Sequence, residues 1–105
     1  MIDRKDLYGV DFYKTKDFVG KLVPFYGSHA GMRYKIELVK GDEEAGTKDS
    51  FKAWIFPEPL GFDATADELK ESRDFDFTNE GLDSICEWLN ESYDSRIDYW
   101  KSFIS

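Results

Sequence analysis

Asp74-Phe-Asp-Phe-Thr78 is the stretch whose spacing comes nearest to a reaction. In a D-x-D-x-T pattern the first carboxylate attacks a phosphoryl group and the second moves protons. Both must stand at the end of a buried strand. Here the pattern follows Glu71-Ser-Arg73 instead of an apolar strand, and 27 residues follow Thr78. An alternating strand with two solvent-facing carboxylates explains it more simply. As a calcium loop it lacks the turn glycine, and Ile85 stands where that loop needs a bidentate glutamate.

His29 and Cys86 are each the single residue of their type. One histidine with no cysteine nearby makes neither a zinc set nor a Ser-His-Asp arrangement. Cys86 falls on the apolar side of a helical pattern, where a thiol is buried and inert. Gly27-x-x-x-Gly31 lacks the Lys-Ser/Thr of a phosphate-binding loop. Asp42-Glu-Glu44 reads as a solvated hairpin tip. The expectation is therefore no catalytic residue, no metal ligand and no cofactor.

One set of acids has a regular spacing. Glu80, Asp83, Glu87, Glu91, Asp94 and Asp98 are separated by three or four residues. On a continuous helix they fall within about 60° of one line, opposite the apolar residues. Successive carboxylates one turn apart approximate the spacing of phosphates along a nucleic-acid strand. The plain alternative is the charged outer face of any surface helix. Asp74 and Asp76 add charge just upstream, so these eight residues are the candidate partner-binding set.

The elements that must position them are readable from periodicity. Met32–Val39 alternates, with Met32, Tyr34, Ile36 and Leu38 on one face. Phe51–Phe56 is apolar on both faces, which predicts a central or doubly covered strand. Lys21–Tyr26 reads as a strand held to an edge by Pro24, and Gly27–Gly31 as a loop. Thr15–Val19 reads as a short helical turn. Thr65-Ala-Asp-Glu68 fits a capping box opening a short helix to about Ser72. Asp74–Phe77 reads as a short edge strand. Thr78 is a helix N-cap. From Leu82 to Ile104 apolar residues recur at gaps of three and four, with a break expected near Tyr93–Ser95. The sum is a single α+β domain over residues 1–105. It has a small antiparallel sheet of three to four strands, with C-terminal helices on one face.

Charge sharpens the functional expectation. The chain has 105 residues, a formal charge of −8 and 17% aromatics. Residues 1–40 carry +3 and residues 41–105 carry −11. An acidic protein is a poor phosphate neutraliser, and it is repelled by an anionic membrane. Neither direct nucleic-acid binding nor membrane binding is expected, and a cytoplasmic location is. No 18-residue apolar run occurs.

Tyr13–Tyr34, Trp54–Phe62 and Phe77–Tyr93 resemble a family of bacterial proteins of about a hundred residues. Members lie near mobile elements and carry an acetyltransferase label. The Arg/Gln-x-x-Gly-x-Gly/Ala turn that holds acetyl-CoA does not occur in this sequence. The resemblance implies a mobile-element accessory protein. Together with the acidic half, it leads to the expectation of a non-enzymatic inhibitor. Such a protein would occupy the basic site of a nucleic-acid-binding enzyme, in the manner of anti-CRISPR or anti-restriction proteins. Two alternatives remain: an acetyltransferase-labelled accessory protein, or an interaction domain using Trp54, Phe56, Tyr99 and Trp100.

Overall fold

A computed structural model describes residues 1–104. Four strands, β1 (Phe25–His29), β2 (Met32–Val39), β3 (Ser50–Pro57) and β4 (Glu71–Asp76), form one antiparallel sheet in the order β1-β2-β3-β4. Two helices follow, α1 (Asn79–Asp94) and α2 (Ile97–Lys101). The fold is α+β, with the helices after the sheet in sequence.

The register sorts the side chains. Ile36 pairs with Ala53, and Phe51 pairs with Phe75. Met32, Tyr34, Ile36, Leu38, Phe51, Ala53 and Ile55 therefore share the buried face with Leu82, Ile85, Leu89 and Tyr93 of α1. The Thr78 hydroxyl accepts from the Gly81 amide at 2.9 Å and starts α1. The break falls after Asp94 because Trp100 turns back: its indole N–H donates to the Ser92 carbonyl at 3.0 Å, and the ring is fully buried.

The other sheet face carries Tyr26, Arg33, Lys35, Lys52, Trp54 and Phe56. The connection after β3 folds over it. Phe62 meets Trp54 edge-on at 5.0 Å and Phe56 at 5.6 Å. β3 is thus covered on both sides, as its composition requires.

Several expectations need correction. The first strand is Phe25–His29, not Lys21–Tyr26. Leu22 instead bridges Lys16 in a small hairpin ahead of Pro24. The Gly27–Gly31 loop shrinks to Ala30-Gly31, whose φ values of 43° and 98° suit a two-residue hairpin turn. Gly27 is a strand residue because the Tyr34 ring lies against it, leaving no room for a Cβ. Thr15–Val19 is no helical turn; the short 3-10 turns are Arg4–Leu7 and Val10–Lys14. They bring Ile2, Leu7 and Tyr13 into the core. The capping box does not form. The Thr65 hydroxyl donates backward to the Gly61 carbonyl at 2.8 Å, and only a 3-10 turn at Asp67–Leu69 follows. The edge strand begins at Glu71 and stops at Asp76, before Phe77.

Candidate functional site

α1 presents its charged side to solvent because its apolar residues are consumed by the sheet. Glu80, Asp83, Glu87, Glu91 and Asp94 are all exposed. From Glu80 to Asp94 they span about 21 Å of helix axis. Asp98 is also exposed but belongs to α2, so the six do not share one continuous helix.

Their electrostatic surroundings differ. Asp83 accepts from Arg4 Nε at 2.6 Å, and Arg4 also donates to the Tyr8 carbonyl at 2.6 Å. That carboxylate is already occupied. Arg96, at the α1–α2 junction, pairs with Glu71 at 2.6 Å and not with the stripe. Among the described residues Glu80, Glu87, Glu91, Asp94 and Asp98 have no ion-pair partner. The last turn of α1 has no basic residue to meet its carbonyl ends.

Asp74 and Asp76 alternate with Phe75, which points toward Trp88 of α1 with ring centroids 5.8 Å apart. Both carboxylates are exposed. At the sheet edge they join Glu80 around a shallow groove of about 300 Å³ that also includes Gly81 and Ser84. The structure therefore gathers Asp74, Asp76 and Glu80 at the start of α1. Glu87, Glu91 and Asp94 form a second stretch further along.

The single histidine and cysteine are held by packing. The His29 ring meets Tyr93 edge-on at 4.6 Å. Desolvation lowers its pKa below 6.5, the Met1 ammonium lowers it further, and Asp94 acts against both. Cys86 Sγ lies 3.3 Å from the Ile2 carbonyl, and burial raises its thiol pKa. A protonated buried thiol is a poor nucleophile. Among the described residues no cluster of three His, Cys, Asp or Glu side chains is placed to hold a metal ion. No described helix is long and apolar enough to cross a membrane.

Of the four aromatics expected at an interface, Phe56 and Trp100 are core residues. Trp54 is half-buried and Tyr99 is 36% exposed. The residue that sequence reasoning missed is Phe18, which is 100% exposed. Its turn is well fixed. One Asp17 carboxylate oxygen accepts from the amides of Val19 and Lys21, each at 2.9 Å. Asp17-x-x-Gly20 is a turn pattern, and it is the signal that could have found this residue.

No protein-family model, curated protein or solved structure matches the chain.

Proposed function

We propose that the outer face of α1 binds a basic protein surface, and that the protein acts as a non-enzymatic inhibitor of a nucleic-acid-binding enzyme. Anti-CRISPR and anti-restriction proteins of the nucleic-acid-mimic type supply the analogy. The observation that carries this reading is the absence of ion-pair partners for Glu80, Glu87, Glu91 and Asp94 among the described residues. These exposed like charges repel one another, and a basic partner would relieve that repulsion. The four unpaired carboxylates, Glu80, Glu87, Glu91 and Asp94, over about 21 Å of helix rise lie about 7 Å apart on average. One strand of a duplex carries a phosphate every 3.4 Å or so. The face thus offers about half of the linear charge density of a single strand.

The test is capture from a cytosolic lysate at low and high salt, with a Glu87→Lys, Glu91→Lys, Asp94→Lys variant beside the natural chain. Asp83 is left alone because it already holds Arg4. The reading expects a retained nucleic-acid-binding protein that is lost with salt and with charge reversal. It also expects the natural chain to compete with duplex DNA for that protein. Retention unchanged by the reversal would overturn it.

A second reading rests on Phe18. A fully exposed phenylalanine on a hydrogen-bonded turn, flanked by Lys16 and Lys21, is the form of an interface anchor. Binding through it would survive high salt and the α1 reversal, and would be lost in Phe18→Ser.

A further inference from the structure

The two edges of the sheet differ in charge. β1 carries no acid, lysine or arginine, whereas β4 carries Glu71, Arg73, Asp74 and Asp76. β4 is the last strand in the sheet order, and only Phe75 among its residues is not exposed. Among the described residues, the backbone of Glu71–Phe75 is hydrogen-bonded only within the ladder to β3. Its outer row of amides and carbonyls therefore faces solvent. Lys70, with φ −102° and ψ 135°, continues the extended backbone one residue back. Lys70–Asp74 is thus a run of extended chain able to accept another strand.

Charged side chains on an edge exclude strands whose charges do not match. Here the charges match one another. Neither Arg73 nor Asp74 has an ion-pair partner among the described residues. Glu71 meets Arg96 at 2.6 Å through Oε2, which leaves Oε1 unpaired.

Self-pairing about a two-fold axis is antiparallel and has few registers. Facing residues must both turn their backbone groups to the seam or both away, so each register centres on one residue. Centred on Glu71, Arg73 or Asp74, it sets like charges face to face on the axis. Centred on Ser72, it puts a neutral residue there. Glu71 then faces Arg73 of the second copy, and Lys70 faces Asp74, each pair occurring twice. Directly opposed residues share one face of the sheet. Glu71 and Arg73 lie opposite Ile55 and Ala53, so their pairs form on the α1 side. Lys70 already holds Asp67 at 3.1 Å, so the Glu71–Arg73 pairs carry most of the selectivity.

We propose that β4 is a self-docking edge: two copies of this chain join antiparallel through Lys70–Asp74, centred on Ser72, into one continuous sheet. The formal charge of −8 on each copy opposes the union and the seam is short, so the dimer is weak. Both α1 helices then stand on the same side of the joined sheet. This inference does not depend on the acidic face of α1 having a partner.

The experiment is sedimentation equilibrium of the natural chain up to about 1 mM, where a monomer–dimer equilibrium with Kd of about 10–300 µM is expected. Amide hydrogen exchange within Lys70–Asp74 should slow as concentration rises, a readout that needs no substitution. Glu71→Arg and Arg73→Glu should each weaken self-association at least about tenfold, because each turns two attractive pairs into repulsive ones. An equal mixture of the two variants should restore the dimer, since one copy then offers two bases and the other two acids. A natural chain that stays monomeric at about 1 mM overturns the proposal, as does exchange in β4 that ignores concentration. Assemblies larger than a dimer also overturn it, because they require an edge pairing that does not close. So do folded variants that associate like the natural chain, or a mixture that associates no better than either variant alone.

Discussion

The carboxamide of Asn90 brackets the backbone of Ile2. Its oxygen accepts from the Ile2 amide at 2.8 Å, and its nitrogen donates to the Ile2 carbonyl at 3.0 Å. A polar residue on α1 thus fixes the start of the chain across 88 positions, and Ile2 is driven into the core beside Cys86. Asn90→Ala removes both bonds and leaves two backbone groups to find water. A loss of about 1–3 kcal/mol in urea melts is expected. Asn90→Asp keeps the acceptor alone and should fall between the two. A loss below about 0.5 kcal/mol for Asn90→Ala would mean that the first residues are not docked as described.

Leu89 is fully buried between α1 and the sheet. Leu89→Ala should cost about 2–5 kcal/mol, since a cavity adds to the lost transfer energy. Phe18→Ser, at a position that touches nothing, should change the same melts by less than about 0.5 kcal/mol. The pair separates core from surface apolar residues in one measurement.

The parts of the fold legible in the sequence are those with a period. Met32–Val39 alternates because one face is buried and the other is not. The spacing within α1 is enough by itself to put Leu82, Ile85, Leu89 and Tyr93 inside and the acids outside. The Thr78 cap is readable because a short hydroxyl residue precedes the periodic run. Phe51–Phe56 is readable from its two apolar faces. The edge strand at Asp74–Phe77 is readable from its alternation, though β4 starts earlier, at Glu71, and ends at Asp76. Elements outside these have no clear local signal. The 3-10 turns at Arg4–Leu7 and Val10–Lys14 have no amphipathic period, and their role depends on distant partners such as Asp83, which accepts from Arg4, and Asn79, which accepts from the Val10 amide. Gly27 looks like a loop residue until its register opposite Tyr34 is known. Thr65 and Glu68 satisfy a capping pattern, but the Thr65 hydroxyl finds the Gly61 carbonyl first. In the candidate site, exposure follows from helix phase. The Arg4–Asp83 pair and the separation of Asp98 onto α2 follow only from tertiary packing.

Gly31 joins two constraints at one turn. Its φ is +98°, and a Cβ there would meet the Trp100 carbonyl. Gly31→Ala should therefore cost more than backbone strain alone, about 1–3 kcal/mol, and should loosen α2 against the hairpin. Ala30, next to it, has φ 43° with a side chain already present. Ala30→Gly should be within about 1 kcal/mol of neutral, because relief of the left-handed strain offsets the added chain entropy. Equal losses at the two positions in thermal melts would show that the Trp100 contact is absent.

His29 gives a pH dependence with a defined sign. Its folded pKa lies below the 6.5 of the free side chain, chiefly through desolvation. Between the folded pKa and 6.5 the unfolded chain binds more protons, so stability rises with pH there. Acidification through this window should destabilise the protein, with the loss complete below the folded pKa. His29→Gln should flatten that part of the stability profile. A steeper profile in the variant, or stability rising as pH falls from 7 to about 5, would reverse the assigned sign.

The acidic face supplies the sharpest contrast between a bystander surface and a binding one. Glu87→Lys converts a repulsive Asp83–Glu87 pair at i,i+4 into an attractive one, a change of a few tenths of a kcal/mol. Asp94→Lys places a cation at the helix end that has none, which contributes about 0.3–1 kcal/mol. The Glu87, Glu91 and Asp94 triple reversal should therefore leave melting unchanged or raise it. If the face binds a basic groove, the same change should reduce partner affinity strongly. The natural complex should weaken as salt rises, because exposed charges are screened beyond about 10 Å at 0.1 M ionic strength. Association should slow more than dissociation quickens, since long-range charge steers the encounter. Stopped-flow kinetics at several salt concentrations read both rates. A triple variant that is more stable and yet binds its partner with unchanged association rate would show that these carboxylates are only a solvated face.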